Sequence, residues 1–393
     1  MWDYSALTAQ LLVFTFAQGI LAAALLRFGG RYRPAGLPLA IFFLANCTTH
    51  LPDLFTLATV SPRPPGALHG LEVLAILANL ALAPLLWLYV RALTTERYPP
   101  FCRRDLWHFC GLFAGLLGAV LVLFLPFDQR DRLLADGTAR WSSSGKIAVI
   151  YMLGLITIFY GQCAIYIVAV IRRLAAYRNR LRDIYASTEH LEMRWIGWLA
   201  MLLGGYWLLS MSLMVLDVFF DIEPDLELAE LIFDGLLVFN LAIWGLRQRP
   251  GFDFAPRPDT AAETEQVARK YERSALSAEQ SDRIAAKITQ AMRDDLLYRN
   301  PNLSLWMLAK HISVTSYYVS QTLNATMGET FFDYVNGWRI EDAKPLIQKG
   351  EETVLAIAYE VGFNSRSSFY TAFKRSTGMT PTAYRQAAHS TGP

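Results

Sequence analysis

The chain has 393 residues, of which 53% are hydrophobic and only 18% charged, with a mean hydropathy of +0.26. That balance is too apolar for an ordinary soluble protein, and the net charge of +2 averages over two unlike halves. Cys47, Cys102, Cys110 and Cys163 form no CxxC pair and no disulfide framework, so they read as buried, reduced thiols.

Before residue 247 the apolar residues gather in runs of about twenty, the length of a bilayer-spanning helix. Seven spans are predicted, at about 6–27, 37–60, 70–93, 107–126, 147–171, 195–219 and 226–246. Asn46, His50, Pro52 and Asp53 interrupt the second. No basic residue precedes the first and no small-residue cleavage site is evident, so it is expected to be a span rather than a cleaved signal. Trp2 and Tyr4 are placed at an interface.

The loops set an orientation. Arg27, Arg31 and Arg33 follow the first span; Arg91, Arg97, Arg103 and Arg104 the third; Arg172, Arg173, Arg178, Arg180 and Arg182 the fifth; Arg247 and Arg249 the seventh. The alternate loops hold Arg63, a mixed stretch from Asp128 to Lys146, and the acidic Asp221, Glu223 and Asp225. The positive-inside rule therefore predicts an outside N-terminus and a cytoplasmic C-terminus.

Polar residues inside these runs are the candidates for a binding function, because ionisable groups in a bilayer are costly and face a cavity or one another. Asn46, His50 and Asp53 share a helix face in the second span, Glu72 and Asn79 in the third, and Glu227, Glu230 and Asp234 in the seventh; Asp217 lies near the outer end of the sixth. One reading is a ligand pocket near the outer side with His50, Asp53, Glu72 and Asp234 in its wall. The other is hydrogen bonding that only holds the helices together. His50 could also sense pH.

Composition shifts to Pro, Asp, Ala, Glu and Thr after Pro250, which marks residues 250–276 as a linker between a membrane domain (1–249) and a C-terminal domain (277–393). Ser277 and Gln280 suit a capping box, and Ile284, Ile288, Met292 and Leu296 give an apolar stripe. That stripe fits a helix packed on the C-terminal domain better than a dimerising coiled coil, being short.

The stretch from Thr353 to Arg385 reads TVLAIAYEVGFNSRSSFYTAFKRSTGMTPTAYR. Thr353 suits an N-cap, and Leu355, Ile357, Ala358 and Val361 recur at helical spacing. Gly362 stops that helix. Asn364 is placed to cap a second, burying Phe369 and Phe373, and Thr380-Pro381 starts a third. Two short helices across a glycine turn make a helix-turn-helix, whose second helix can enter a major groove. After Val361 there is no acidic residue, whereas Arg366, Lys374, Arg375 and Arg385 are present, as a polyanion partner requires.

IAYEVGF, then NSRSSF, then FKRSTGMTPTAYR closely resembles the signature of AraC-type transcription regulators. A first unit is similar too: LSLWMLA from Leu303 to Ala309, with Ser304 as N-cap and Leu303 and Leu308 as a staple, then SYYVSQTLN before Gly328. FFDYVNGWRIEDAK, Phe331 to Lys344, resembles the linker helix between units, and Pro345 is expected to kink it. The resemblance covers roughly the last hundred residues. It implies double-stranded DNA as partner, contacted by Ser316, Tyr317, Gln321 and Asn324 in the first unit and by Ser365, Arg366, Ser367, Tyr370 and Thr371 in the second, with Lys374 on phosphate.

The whole is expected to be all-α: a seven-helix transmembrane bundle followed by a cytoplasmic domain with two helix-turn-helix units. No P-loop, zinc spacing, nucleophile elbow or histidine-kinase motif is present, so no enzyme, metal or cofactor is expected. The expected function is a one-component regulator in the bacterial inner membrane, with the bilayer, a small-molecule signal and a second copy of the chain as further partners. The rivals are a transporter or channel with a regulatory tail, and a regulator whose membrane part is an anchor alone.

Overall fold

The computed structural model describes residues 4–29, 33–58, 67–95, 103–124, 143–189, 191–220, 227–248 and 276–390. The expectations for Trp2, Cys102, the loop at 221–226 and nearly all of the linker lie outside these residues, as do the side chains of Tyr4, Asp217 and Glu227. Among the described residues the fold is helical, apart from one isolated bridge between Tyr185 and Ser304. The chain divides into two compact units, the second formed by Leu174–Met193 together with Phe254–Pro393.

The first unit holds α1 (Tyr4–Ala24, prolonged by a π-helical turn to Gly29), α2 (Arg33–Thr49), α3 (Leu51–Ala58), α4 (Ala67–Leu93) and α5 (Cys110–Leu123). The greater part of α6 (Ser143–Ile184), then α7 (Arg194–Phe220) and α8 (Glu227–Arg247), complete it. Among the described residues, five stretches are long and apolar enough to cross a membrane: Ala6–Phe28, Leu68–Leu93, Leu153–Ile184, Arg194–Leu213 and Leu228–Arg247. They correspond to the first, third, fifth, sixth and seventh predicted spans. The second is divided at His50 into α2 and α3, with Pro52 in the first turn of α3, where its missing N–H is harmless. The fourth is represented by the 14 residues of α5.

Helix α2 packs on α1 and α4, and α1 on α8. Glycines permit the close approaches: a Cβ on Gly19 would collide with Cys47 Sγ, and one on Gly245 with the Leu39 side chain. Phe14, Leu21, Ile165, Trp198 and Leu208 stand half or more exposed on the outer faces. Such a surface in water would aggregate, and in lipid it is solvated. Cys47 and Cys163 are free and buried as expected, whereas Cys110 is free and exposed.

The second unit begins inside α6, at Leu174. It continues with α9 (Ala278–Arg293), α10 (Leu305–His311), α11 (Ser316–Gln321, followed by a π-helical turn to Met327), α12 (Phe331–Lys349), α13 (Val354–Glu360), α14 (Arg366–Thr377) and α15 (Pro381–Ser390). Both bonds of the Ser277–Gln280 capping box are made. Ile284, Ile288 and Met292 are buried with Leu308, Val319 and Phe331, so α9 packs on this domain as the short stripe suggested. Leu296 does not extend the stripe. It lies beyond the helix end at φ 51 and is 40% exposed.

Helix α12 carries two cores. Its first half closes the cluster around α9, α10 and α11, and its second half packs with α13, α14 and Tyr384 of α15. The helix continues past Pro345 to Lys349, so the proline does not end it. Of the four apolar positions at helical spacing in α13 and its end, Ile357, Ala358 and Val361 are buried and Leu355 is 42% exposed.

Candidate DNA interface and bundle cavity

In the first unit, Ser304 caps α10 by accepting from Met307 N at 3.3 Å, and Leu303 and Leu308 are buried in one cluster, as a staple requires. The first recognition helix is α11 with its π-helical extension, stopped at Gly328 with φ +71. Tyr317 and Asn324 are exposed on it, Ser316 and Gln321 half-buried. Asn324 Nδ2 donates to Ser320 Oγ at 3.4 Å. Gln321 Oε1 is buried with no hydrogen-bond partner among the described residues.

In the second unit Thr353 caps α13 by accepting from Ala356 N at 3.1 Å. The helix stops at Gly362, φ +99. Ser365, not Asn364, then caps α14, accepting from Ser368 N at 3.2 Å; Asn364 Nδ2 instead donates to Pro301 O at 3.1 Å. An asparagine two positions before the helix still serves, by tying the turn to the rest of the domain. Phe369 and Phe373 are fully buried. The opposite face, Arg366, Ser367, Thr371 and Lys374, is exposed, with Tyr370 half-buried beside it. These positions recur at i, i+1, i+4, i+5 and i+8, which is one side of a helix.

Arg366 lies 5.0 Å over the Tyr370 ring and donates to its hydroxyl at 3.3 Å. The Tyr370 phenol is held below its usual range by the Thr382 hydroxyl, with Arg366 adding to the effect against the opposing pull of burial. Two of the four late cations serve the fold instead of presenting free charge. Arg375 pairs with Asp333 at 2.5 Å, and Arg385 donates to Ile347 O and Glu352 O. Sequence reasoning missed Asp333. Its local signal was the Thr-x-x-Asp spacing of a helix cap, for Thr330 Oγ1 accepts from Asp333 N at 3.1 Å and donates to its carboxylate at 2.8 Å.

In the first unit of the chain, Asn46 near the end of α2, His50 at the break and Asp53 of α3 line one cavity of about 300 Å³. Asp234 closes the far wall, taking Asn46 Nδ2 at 3.0 Å on one oxygen and His50 Nε2 at 2.9 Å on the other. Glu230 and Asn79 also line it; Glu72 lies elsewhere on α4 and is not part of the wall. Phe159, Tyr206, Trp207 and Phe233 supply an aromatic side that single apolar runs gave no means to predict. Tyr206 and Phe233 stack at 4.3 Å, and Phe159 meets Trp207 edge-on at 6.2 Å.

Comparison with known proteins bears on the C-terminal part. A family described as a helix-turn-helix domain matches residues 308–387. A putative AraC-like transcription regulator of Streptomyces lividans is 36% identical over 99 residues, 25% of this chain and 32% of that protein. The C-terminal domain is AraC-type. The regulatory protein PocR of Salmonella typhimurium is 30% identical over 101 residues of this AraC-type domain, 26% of this chain and 33% of PocR. Among solved structures, the C-terminal domain of AraT, a response regulator from Geobacillus stearothermophilus, is 25% identical, covering 29% of this chain and 88% of that one with a TM-score of 0.25. The chain spans about a third of the length of these curated relatives.

For an AraC-type second unit built this way, Arg366→Ala is expected to cost about 1–3 kcal/mol of operator binding and to relax specificity at one base pair. Lys374→Ala is expected to weaken all sequences alike and to lower the salt slope by about one. Binding titrations over a salt series on operator and scrambled duplexes separate the two. Intact operator affinity in Arg366→Ala would mean that α14 does not read the groove.

Proposed function

We propose that the chain is a membrane-embedded one-component transcription regulator, in which a seven-span bundle senses a signal and the AraC-type domain binds DNA in the cytoplasm. The observation that carries this reading is the joining, in one chain, of an AraC-type domain to five helices long and apolar enough to cross a bilayer. The split second span and α5 are taken as the remaining two crossings. The arginines that follow the first, third, fifth and seventh spans support an outside N-terminus, which gives the DNA-binding domain the side where DNA is.

The cavity is the proposed sensor site. Among the described residues it is lined by three carboxylates, Asp53, Glu230 and Asp234, against one histidine and no Lys or Arg. Asp234 is met by Asn46 and His50, yet three carboxylates against a single histidine leave an excess of negative charge that a cation would offset. With an aromatic side able to face that cation, the wall favours a small organic ammonium and repels an anion. About 300 Å³ suits a molecule at the small end of the usual ligand range. Occupancy then biases two arrangements of the bundle that position the DNA-binding domains differently.

The experiment is an operator–reporter strain challenged with a panel of organic ammonium compounds and matched carboxylates. Response is expected to ammonium compounds only. Asp234→Asn is expected to remove it while leaving the amount of protein in the membrane and DNA binding in vitro unchanged. A response surviving in Asp234→Asn would overturn the sensor assignment, and a mutant that fails to accumulate would favour a purely structural network. In the same strains a cytoplasm-only reporter is expected to work after Arg249 and to fail near Asp225; activity at both, or neither, overturns the topology.

A further inference from the structure

Helix α6 has 42 residues, about 60 Å at 1.5 Å per residue, which is twice the thickness of a hydrocarbon core. Its last turns, from Leu174, belong to the same compact unit as the DNA-binding domain. The contacts there are specific. Ala186 is buried, and its N–H donates to Leu303 O at 3.1 Å, beside the Tyr185–Ser304 bridge. Tyr185 packs edge-on against Trp306 at 5.7 Å. Asn336 Nδ2 of α12 donates to Ala186 O at 3.3 Å.

Arg339 of α12 is fully buried, and its guanidinium is satisfied by carbonyls and hydroxyls. Nε donates to Tyr298 O at 2.7 Å and Nη2 to Asn300 O at 2.9 Å. Nη1 donates to Asn336 Oδ1, but also to Ala186 O and Ser187 Oγ, both at 3.3 Å. Burial pushes its pKa down to about 10, still charged at neutral pH, against a raising influence from Glu189 on the same segment. A buried cation whose donors are partly met by residues 186–187 holds that segment in place, because leaving would strand the charge.

One turn earlier, Arg182 lies 4.9 Å over the Phe332 ring and pairs with Asp333 Oδ1 at 3.0 Å. The same oxygen takes Arg375 of the second recognition helix at 2.5 Å. Although burial raises the Asp333 pKa, the Thr330 and Arg375 hydrogen bonds and the Arg182 charge outweigh it and hold the carboxyl below its usual range, ionised at neutral pH.

We infer that the segment from Arg182 to Ser187 is the input arm of the DNA-binding domain: it occupies a docking surface on α12 and, through Asp333, positions the second recognition helix α14. This rests on the reading of the chain as a regulator. A rotation or shift of α6 reaches Asp333 within one side chain and α14 within two. No contact between the first recognition helix and the arm is needed. Arg182 and Asp333 are positioning residues and touch no DNA in this scheme.

The test uses the full-length chain in lipid nanodiscs and a duplex selected by it from a random pool. Arg182→Ala is expected to weaken affinity for that duplex roughly 2- to 5-fold, the scale of a part-exposed ion pair. Asp333→Asn keeps the capping geometry and is expected to do the same. The double variant is expected to be no worse than either alone, because both act through one contact. Arg182→Lys is expected to recover part of the loss. Unchanged affinity in Arg182→Ala, or losses that simply multiply in the double variant, overturns the input arm. Arg366→Ala in parallel tells the two readings apart. If it abolishes selective binding while Arg182→Ala is silent, only the arm fails; if it too is silent, the regulator reading fails.

Discussion

A fragment beginning at Ser277 is expected to bind an operator with two half-sites ~10²–10⁴-fold more weakly than the same fragment fused to a parallel dimeric coiled coil. Both forms lack the arm, so the comparison isolates pairing, and charge limits what a single copy can do. From Glu263 to the end there are fifteen Lys or Arg against fourteen Asp or Glu, nearly neutral for a binder of nucleic acid. The structure reduces the useful cations further, since Arg375 and Arg385 are engaged within the domain and the first recognition helix has none. Lone binding should therefore be modest and steeply lost in salt. Two copies held in one membrane would present paired domains, the second binding at a concentration set by the tether. Equal affinities for the two fragments would sink pairing as the bundle's contribution.

The second large effect is expected from Gly362→Ala. Gly362 has φ +99, a region that costs other residues about 1–3 kcal/mol. Space is the harsher constraint. A Cβ there would lie 2.6 Å from Tyr298 O and 2.8 Å from Arg299 O, backbone atoms that cannot swing aside. Tyr298 O is also the acceptor for Arg339 Nε, so the collision loosens the buried guanidinium as well as the turn. The midpoint of thermal unfolding of the fragment is expected to fall by about 10 °C or more, given roughly 4–8 °C per kcal/mol for a domain near this size. Footprints over the half-site read by α14 should be lost with it. A variant melting within about 2 °C of the parent would show that the turn relaxes, against the geometry described.

What the sequence disclosed follows from how local each signal is. Caps are local: Ser277, Ser304 and Thr353 cap where their spacing from the next apolar residue said they should. Asn364 was misassigned because Asn and Ser are adjacent and equally able to cap, and only the tertiary acceptor, Pro301 O, decides between them. Leu296 continued a helical period on paper, but α9 had already ended at Arg293. Helix-face arithmetic grouped Asn46, His50 and Asp53, which do line one cavity although the helix breaks at His50. It could not say which neighbouring helix each polar face meets, which is why Glu72 was grouped with them and Glu230 left out of the wall. Asp333 escaped notice for the same reason, its partners being 42 and 151 positions away.

The division of the chain inside α6 also bears on how the molecule is made. The DNA-binding unit is not contiguous: Asn336 and Ala186 are 150 positions apart, and α7 and α8 are synthesised between them. As a free loop that separation would slow closure, since distant contacts form only after the chain between has been ordered. If α7 and α8 cross the bilayer and return, insertion itself brings residue 248 back to the side where the arm was left. Translation would then deliver the AraC-type residues to an arm already waiting, and correct insertion of the two preceding helices becomes a condition for docking the arm on the domain.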